Sequence, residues 1–271
     1  MFKNAFGYSL KPIQKICLTG LFIALTAILQ KVIAINYIPV VPFVRLSLGG
    51  PALIIFASIF LGPIYGLIVG AASDLFGYFI FDPKTMSFFP QITLIYGLLG
   101  FASYFVFVLI KKLKNEKLGF IIEILSLAAL ATGVSLFFIL NNRVTLYSTT
   151  YTIESWQKIV IPILLFTLFG VLVLVLFLMK KRFNSLKTDM NIWQVSFACF
   201  IIEITIIVLF GSLMKALAFN FNFFIIAICQ IVVLFFNVPL NTFFVGMFMK
   251  LTNRFKNDRE VRQSEYEQRQ D

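Results

Sequence analysis

RLSLGGPALIIFASIFLGPIYGLIVGAASDLFGYFIFDPKTMSFFPQITLIYGLLG, residues Arg45 to Gly100, is the stretch that decides the fold. Two apolar segments rich in small residues meet at Gly62-Pro63, and a polar, aromatic, Pro-containing loop leads into a third. Small residues such as Gly49, Gly50, Ala57, Ser58, Gly62, Gly66, Gly70, Ala71, Ser73 and Gly77 let helix backbones approach closely. That is how helices associate where lipid is as apolar as their own side chains. Asp74 is the one carboxylate in these two segments. At a helix centre it costs about 2.5 to 3.5 kcal/mol on insertion scales, so it must face the bundle, a wet cavity or the interface. Two readings stand for it, a functional carboxylate or a helix-packing residue.

Composition extends the membrane reading to the whole chain. Of 271 residues, 60% are hydrophobic and only 13% charged, and the mean hydropathy is +0.94. Soluble domains carry about 25% charged residues, so the class is an all-α integral membrane protein. Eight apolar spans follow from length and flanking charge, at 16–36, 46–62, 64–81, 90–110, 119–140, 158–179, 193–217 and 223–249. The second and third are short and are expected to be tilted or joined as a re-entrant pair at Gly62-Pro63. With the N-terminus inside, 17 of the 23 Lys and Arg fall on the cytoplasmic side. Lys31, Arg45, Lys84, Arg143, Lys158 and Lys215 fall on the outer side. The positive-inside rule then predicts a multi-pass cell-membrane protein with both termini cytoplasmic. The net charge of +11 is therefore topological and does not imply nucleic acid. No cleavable signal is expected, because the first apolar stretch is too long for one.

Four motifs in the opening stretch carry a family resemblance: Arg45-Leu46-Ser47; Leu61-Gly62-Pro63-x-x-Gly66; Gly70-x-x-x-Asp74-Leu75-x-Gly77; and Phe89-Pro90-x-x-Thr93-Leu94 with Gly97 and Gly100. Together they resemble the substrate-binding S component of energy-coupling factor (ECF) vitamin transporters, and most resemble the folate-specific members. LGPxxG and GxxxDLxG occur across several vitamin specificities, whereas FPxxTL is the more folate-like element. The resemblance implies a subunit that captures a small-molecule vitamin at the outer face and delivers it inward. Its implied partners are a transmembrane coupling subunit and two ATPase subunits, which use the ATP; no cofactor of its own is implied.

The same resemblance points to site residues. Residues 36–46, NYIPVVPFVRL, contain two prolines that cannot extend a helix. Arg45 therefore lies at the outer mouth, where its guanidinium fork suits a carboxylate. Folate ends in a glutamate with two of them; the alternative is that Arg45 snorkels to lipid headgroups. The loop FDPKTMSFFP, residues 81–90, is by resemblance the gating loop, with Asp82, Lys84, Phe88 and Phe89 as candidate contacts. Flat aromatic faces stack on ring systems, although an interfacial aromatic belt has the same composition. Gln91, Thr93 and Tyr96 follow at the outer end of the fourth span. In the last span Gln230 and Asn237 are two turns apart and share a face that Asn241 continues. They mark helix–helix hydrogen bonds or ligand contacts. On the first span Gly20, Ala24 and Ala27 are the candidate face for docking onto the coupling subunit, with intramolecular packing as the alternative.

The resemblance divides the chain into an S-component-like half at 1–118, an inserted helix pair with an external loop at 119–187, S-component-like helices at 188–250, and a charged cytoplasmic tail at 251–271. S components have six helices, so the pair at 119–187 reads as extra. Glu123 near the cytoplasmic end of its helix reads as interfacial, and Glu203 has no evident partner.

Absences remove many enzymes. There is no histidine, which excludes His-based bases and His metal sets. Cys17, Cys199 and Cys229 lie in apolar spans without CxxC spacing, and no G-x-x-x-x-G-K-[ST] phosphate loop occurs. The leading expectation is a non-enzymatic folate-binding importer subunit. Alternatives are an S component for pantothenate, riboflavin or a queuosine precursor, an intramembrane lipid-modifying enzyme built on Asp74, Glu203 and Arg45, or a structural protein without ligand.

Overall fold

The computed structural model describes residues 10–31, 49–81, 88–113, 116–146, 149–183 and 190–267. The chain order is α1 (Pro12–Lys31), α2 (Gly50–Leu61), α3 (Pro63–Phe81), α4 (Pro90–Lys111), α5 (Glu116–Leu140), β1 (Arg143–Leu146), β2 (Thr149–Thr152) and α6 (Ser155–Phe183). Then come α7 (Ile192–Ile202), a π-helical stretch (Glu203–Phe210), α8 (Gly211–Phe219) and α9 (Phe223–Glu267). The run from α7 to α8 is one continuous span, Ile192–Phe219. Counted that way there are eight helices, and among the described residues seven are long and apolar enough to cross a membrane. The protein is an all-α, multi-pass membrane bundle.

The eighth helix, α2, is the exception in length and in burial. Its 12 residues reach about 18 Å at 1.5 Å per residue, short of a hydrocarbon core of about 30 Å. Every residue of it except Phe60 is buried, under α1, α3, α4 and α9. The span expected at 46–62 is thus an inner helix, joined to α3 through Gly62 at φ +113° and Pro63. A side chain at that left-handed position would be strained, and Pro63 opens the next helix, where a missing N–H costs nothing.

The two ends of the bundle differ in chemistry. At the basic end, Lys180 sits 5.0 Å over the Trp193 ring, Phe120 packs on Trp193, Lys15 sits over Tyr65, and Gln194 Nε2 reaches the Leu113 carbonyl. At the hairpin end β1 pairs antiparallel with β2, Arg143 opposite Thr152. That end also holds the α8–α9 turn, where Asn220 adopts φ 56°. Helix α9 continues to Glu267, so the tail expected to begin beyond Lys250 prolongs the last helix.

The tightest crossing joins α3 and α4. A Cβ on Gly66 would lie 2.6 Å from the Gly100 carbonyl and 2.8 Å from Ser58 Cα, and one on Gly70 would strike the Tyr96 carbonyl. The small residues of the opening stretch therefore form a backbone-to-backbone contact that any larger residue would push apart.

Candidate functional site

Helix α4 sorts the candidate residues onto two faces. Thr93, Tyr96, Gly97 and Gly100 look toward α3. The Thr93 hydroxyl donates to Asp74 Oδ2 at 2.7 Å, and Asp74 Oδ1 pairs with Lys31 Nζ at 3.5 Å. Lys31 and Asp74 side chains are 10% and 5% exposed. Tyr96 meets Gly70 through its carbonyl. This cluster ties the ends of α1, α3 and α4, and it supplies the partners that a membrane-buried carboxylate requires. Lys31 was legible in the sequence only as an outer-side charge.

Gln91 and Ile95 form the other face of α4, toward α8. Ile95 approaches Gly211, whose added Cβ would lie 3.8 Å from Ile95 Cδ1. About two helical turns beyond, Phe89 packs on Phe219 with ring centroids 4.3 Å apart. Phe88 turns the opposite way, onto Tyr78 at 5.3 Å and Phe79 at 6.0 Å. The two phenylalanines thus serve different walls. Arg45, Asp82 and Lys84 lie outside the described residues.

Helix α9 splits its amides as well. Asn241 Nδ2 donates to Glu203 Oε1 at 2.6 Å and Asn237 Nδ2 to Glu203 Oε2 at 3.5 Å. Glu203, read from sequence as partnerless, is fully buried and held by two amides that sequence spacing had placed on one face. It opens the π-helical stretch Glu203–Phe210; such stretches widen a helix and change its angular register. Gln230, the third amide on that face, is 3% exposed, and its Nε2 has no hydrogen-bond partner among the described residues. Gln91 Oε1 and Ser212 Oγ share that condition. Glu123 is also fully buried and accepts from Ser196 Oγ at 2.6 Å, because α7 covers the face expected to be interfacial.

On α1, Gly20 and Ala24 are exposed, and among the described residues nothing lies within 4 Å of a Cβ placed on Gly20. Ala27 is 4% exposed and turns inward, because three residues beyond Ala24 the helix has rotated into the bundle. Exposed Ile13, Ile16, Leu21 and Ile28 surround the Gly20–Ala24 strip.

The arrangement offers enclosed polar groups near one membrane face and, among the described residues, no group of three or more acids, cysteines or histidines that could hold a metal; Glu203 is taken up by Asn237 and Asn241 and Glu123 Oε1 by Ser196. The family described as "ECF transporter, substrate-specific component" matches residues 14–180. That stretch runs from α1 into α6, covering 119–180 of the pair expected at 119–187, and ends before α7. No curated protein and no solved structure matches the chain. The chain belongs to the substrate-specific component family of ECF transporters, a multi-pass membrane subunit that binds substrate for an importer and associates with ECF module subunits, and not an enzyme.

Proposed function

We propose that the chain captures a vitamin at the outer membrane face, with folate the first candidate, and works with a coupling subunit and two ATPase subunits. The hairpin end is then the outer end, and both termini are cytoplasmic. The observation that carries the site is the pair of buried amide atoms with open hydrogen-bonding capacity, Gln91 Oε1 and Gln230 Nε2, at the end closed by Phe89 and Phe219. An unpaired buried amide costs roughly 1 to 3 kcal/mol, a cost removed when a ligand supplies the missing donor or acceptor. Folate is favoured by the FPxxTL element and by Arg45, whose fork fits a glutamate carboxylate. Pantothenate, riboflavin and a queuosine precursor are the other ligands in this reading.

Gly20 and Ala24 form the proposed docking strip. Leucine at Ala24 is expected to abolish co-purification with the coupling subunit while leaving thermal stability in detergent unchanged; a stability loss would mean that the strip packs within this chain. The ligand is tested by thermal stabilisation of the purified protein against a vitamin panel. A ligand at 100 times its Kd adds about 2.7 kcal/mol to the folded state. A shift with folate alone supports the full reading, a shift with another vitamin replaces the ligand, and no shift with any overturns substrate capture at this site.

A further inference from the structure

From the packing of α4, α8 and α9 we infer that Lys215 is the charge-selecting residue of the substrate cavity, and that it commits the protein to a substrate bearing a carboxylate. The inference rests on the substrate-capture reading above and specifies the substrate class.

Position follows from two contacts that bracket Lys215. Helices α4 and α8 run antiparallel. Ile95 faces Gly211, and, toward the hairpin end, Phe89 faces Phe219. Gln91 is one turn from Ile95 in that direction, and Lys215 is one turn from Gly211. Residues four apart share a helix face, so Gln91 and Lys215 occupy the rung between an apolar floor and an aromatic roof. The third side is α9, where Lys215 lies within electrostatic reach of Cys229; Gln230 is the following residue, and with both its neighbours in that helix it borders the same corner.

Chemistry follows from what these groups lack. Lys215 is half-buried in the apolar run GSLMKALAF, and among the described residues it has neither hydrogen bond nor ion pair. Glu203 influences it electrostatically but is already held by Asn237 and Asn241. A lysine near a helix end ordinarily snorkels to the interface. This one instead shares a face with buried Gly211. Around it, Gln230 Nε2 is a buried donor without an acceptor, and Gln91 Oε1 a buried acceptor without a donor. An ammonium and an amide N–H converging in an enclosed place make an anion site, and charge-assisted bonds of this kind are roughly twice as strong as neutral ones. The free Gln91 oxygen accepts one N–H or O–H beside that carboxylate. Lys215 and Gln230 lie beyond residue 180, where the family match ends, whereas Gln91 lies within it, so the charged side of the rung comes from the last helices.

The test compares the wild type with Lys215→Met and Lys215→Arg, purified in detergent, for binding of folate, pantothenate, biotin and nicotinate against riboflavin and thiamine. Only carboxylate-bearing vitamins are expected to bind. Lys215→Met is expected to weaken the best of them at least tenfold, and Lys215→Arg to retain most of the affinity. Binding of only riboflavin or thiamine would overturn the role of Lys215 while leaving substrate capture intact, as would undiminished binding by Lys215→Met. Should no vitamin bind the wild type, a second measurement decides: Lys215→Cys, with Cys17, Cys199 and Cys229 replaced by alanine, is exposed to an anionic, membrane-impermeant methanethiosulfonate added to intact cells. Labelling from outside supports a water-accessible anion cavity at this rung, and absence of labelling overturns it.

Discussion

The Asp74 cluster at one end of the α3–α4 crossing and the α8–α9 corner both lie at the hairpin end of the bundle and handle polarity in opposite ways. At the crossing, glycines bring backbones into direct contact, and Asp74 is fully engaged by Lys31 and Thr93. At the corner, among the described residues, Gln91, Ser212 and Gln230 keep buried atoms without partners, and Lys215 stands without an ion pair. Natural proteins leave few buried polar groups unsatisfied. The Asp74 cluster is therefore read as scaffold and the corner as a place where something binds, although Ser58 against Gly66 and Gln30 against Gly50 also hold buried atoms without partners among the described residues.

The strongest way to break this comparison is steric. Gly70→Leu or Gly100→Leu drives a side chain into the opposing backbone, and the expected loss is about 3 kcal/mol or more, with most protein aggregated on size exclusion. Gly133→Ala, where nothing lies within 4 Å of the added Cβ, should instead be neutral or stabilising by up to about 1 kcal/mol. If Gly100→Leu folds normally in thermal denaturation, the crossing is not the scaffold. Next in size, Asp74→Asn removes one charge of a buried pair and is expected to cost roughly 3 kcal/mol. Lys31→Met in the same background should recover part of that loss. Absence of recovery in the double mutant would show that the pair is not coupled.

Two smaller effects sharpen the contrast. Glu203→Leu strips the acceptor from Asn237 and Asn241, at roughly 1 to 3 kcal/mol given that membrane hydrogen bonds average about 0.6 and reach about 1.7 kcal/mol each. Glu203→Gln, which keeps an acceptor, is expected to lose less than half as much in the same melting assay. The smallest stability effect is predicted for Gln230→Leu: replacing an unpaired amide by an apolar group of similar size is expected to leave the apo protein within about 1 kcal/mol of wild type or to stabilise it. The same variant is expected to lose most of its substrate-induced thermal shift. A large apo destabilisation would move Gln230 from the site to the scaffold.

Much of the scaffold was legible in the sequence. Hydropathy and length placed eight helices, most within a few residues of their observed bounds although the last runs 18 residues past the expected 249, since a segment that crosses lipid must bury its own hydrogen bonds and show an apolar face for about 20 residues. The small-residue pattern from Gly49 to Gly77 predicted close packing without naming its partner. Harder to read were the residues whose meaning is relational. Asp74 gave a charge in a helix, but its pairing with Lys31 joins residues 43 positions apart. Glu203 seemed solitary because its amides lie 34 and 38 positions on. Ala27 fitted the small-residue repeat, yet the helix had turned it inward.

Sequence alone determined the class and most of the helices, because partition into lipid and close helix approach are properties of composition and short spacing, while LGPxxG and GxxxDLxG carried a resemblance that pointed to the family. Tertiary structure alone decided which polar residues are spent on one another and which stay open. That follows from the cost of an unpaired polar group in a low-dielectric interior, which depends on what each helix meets across the bundle.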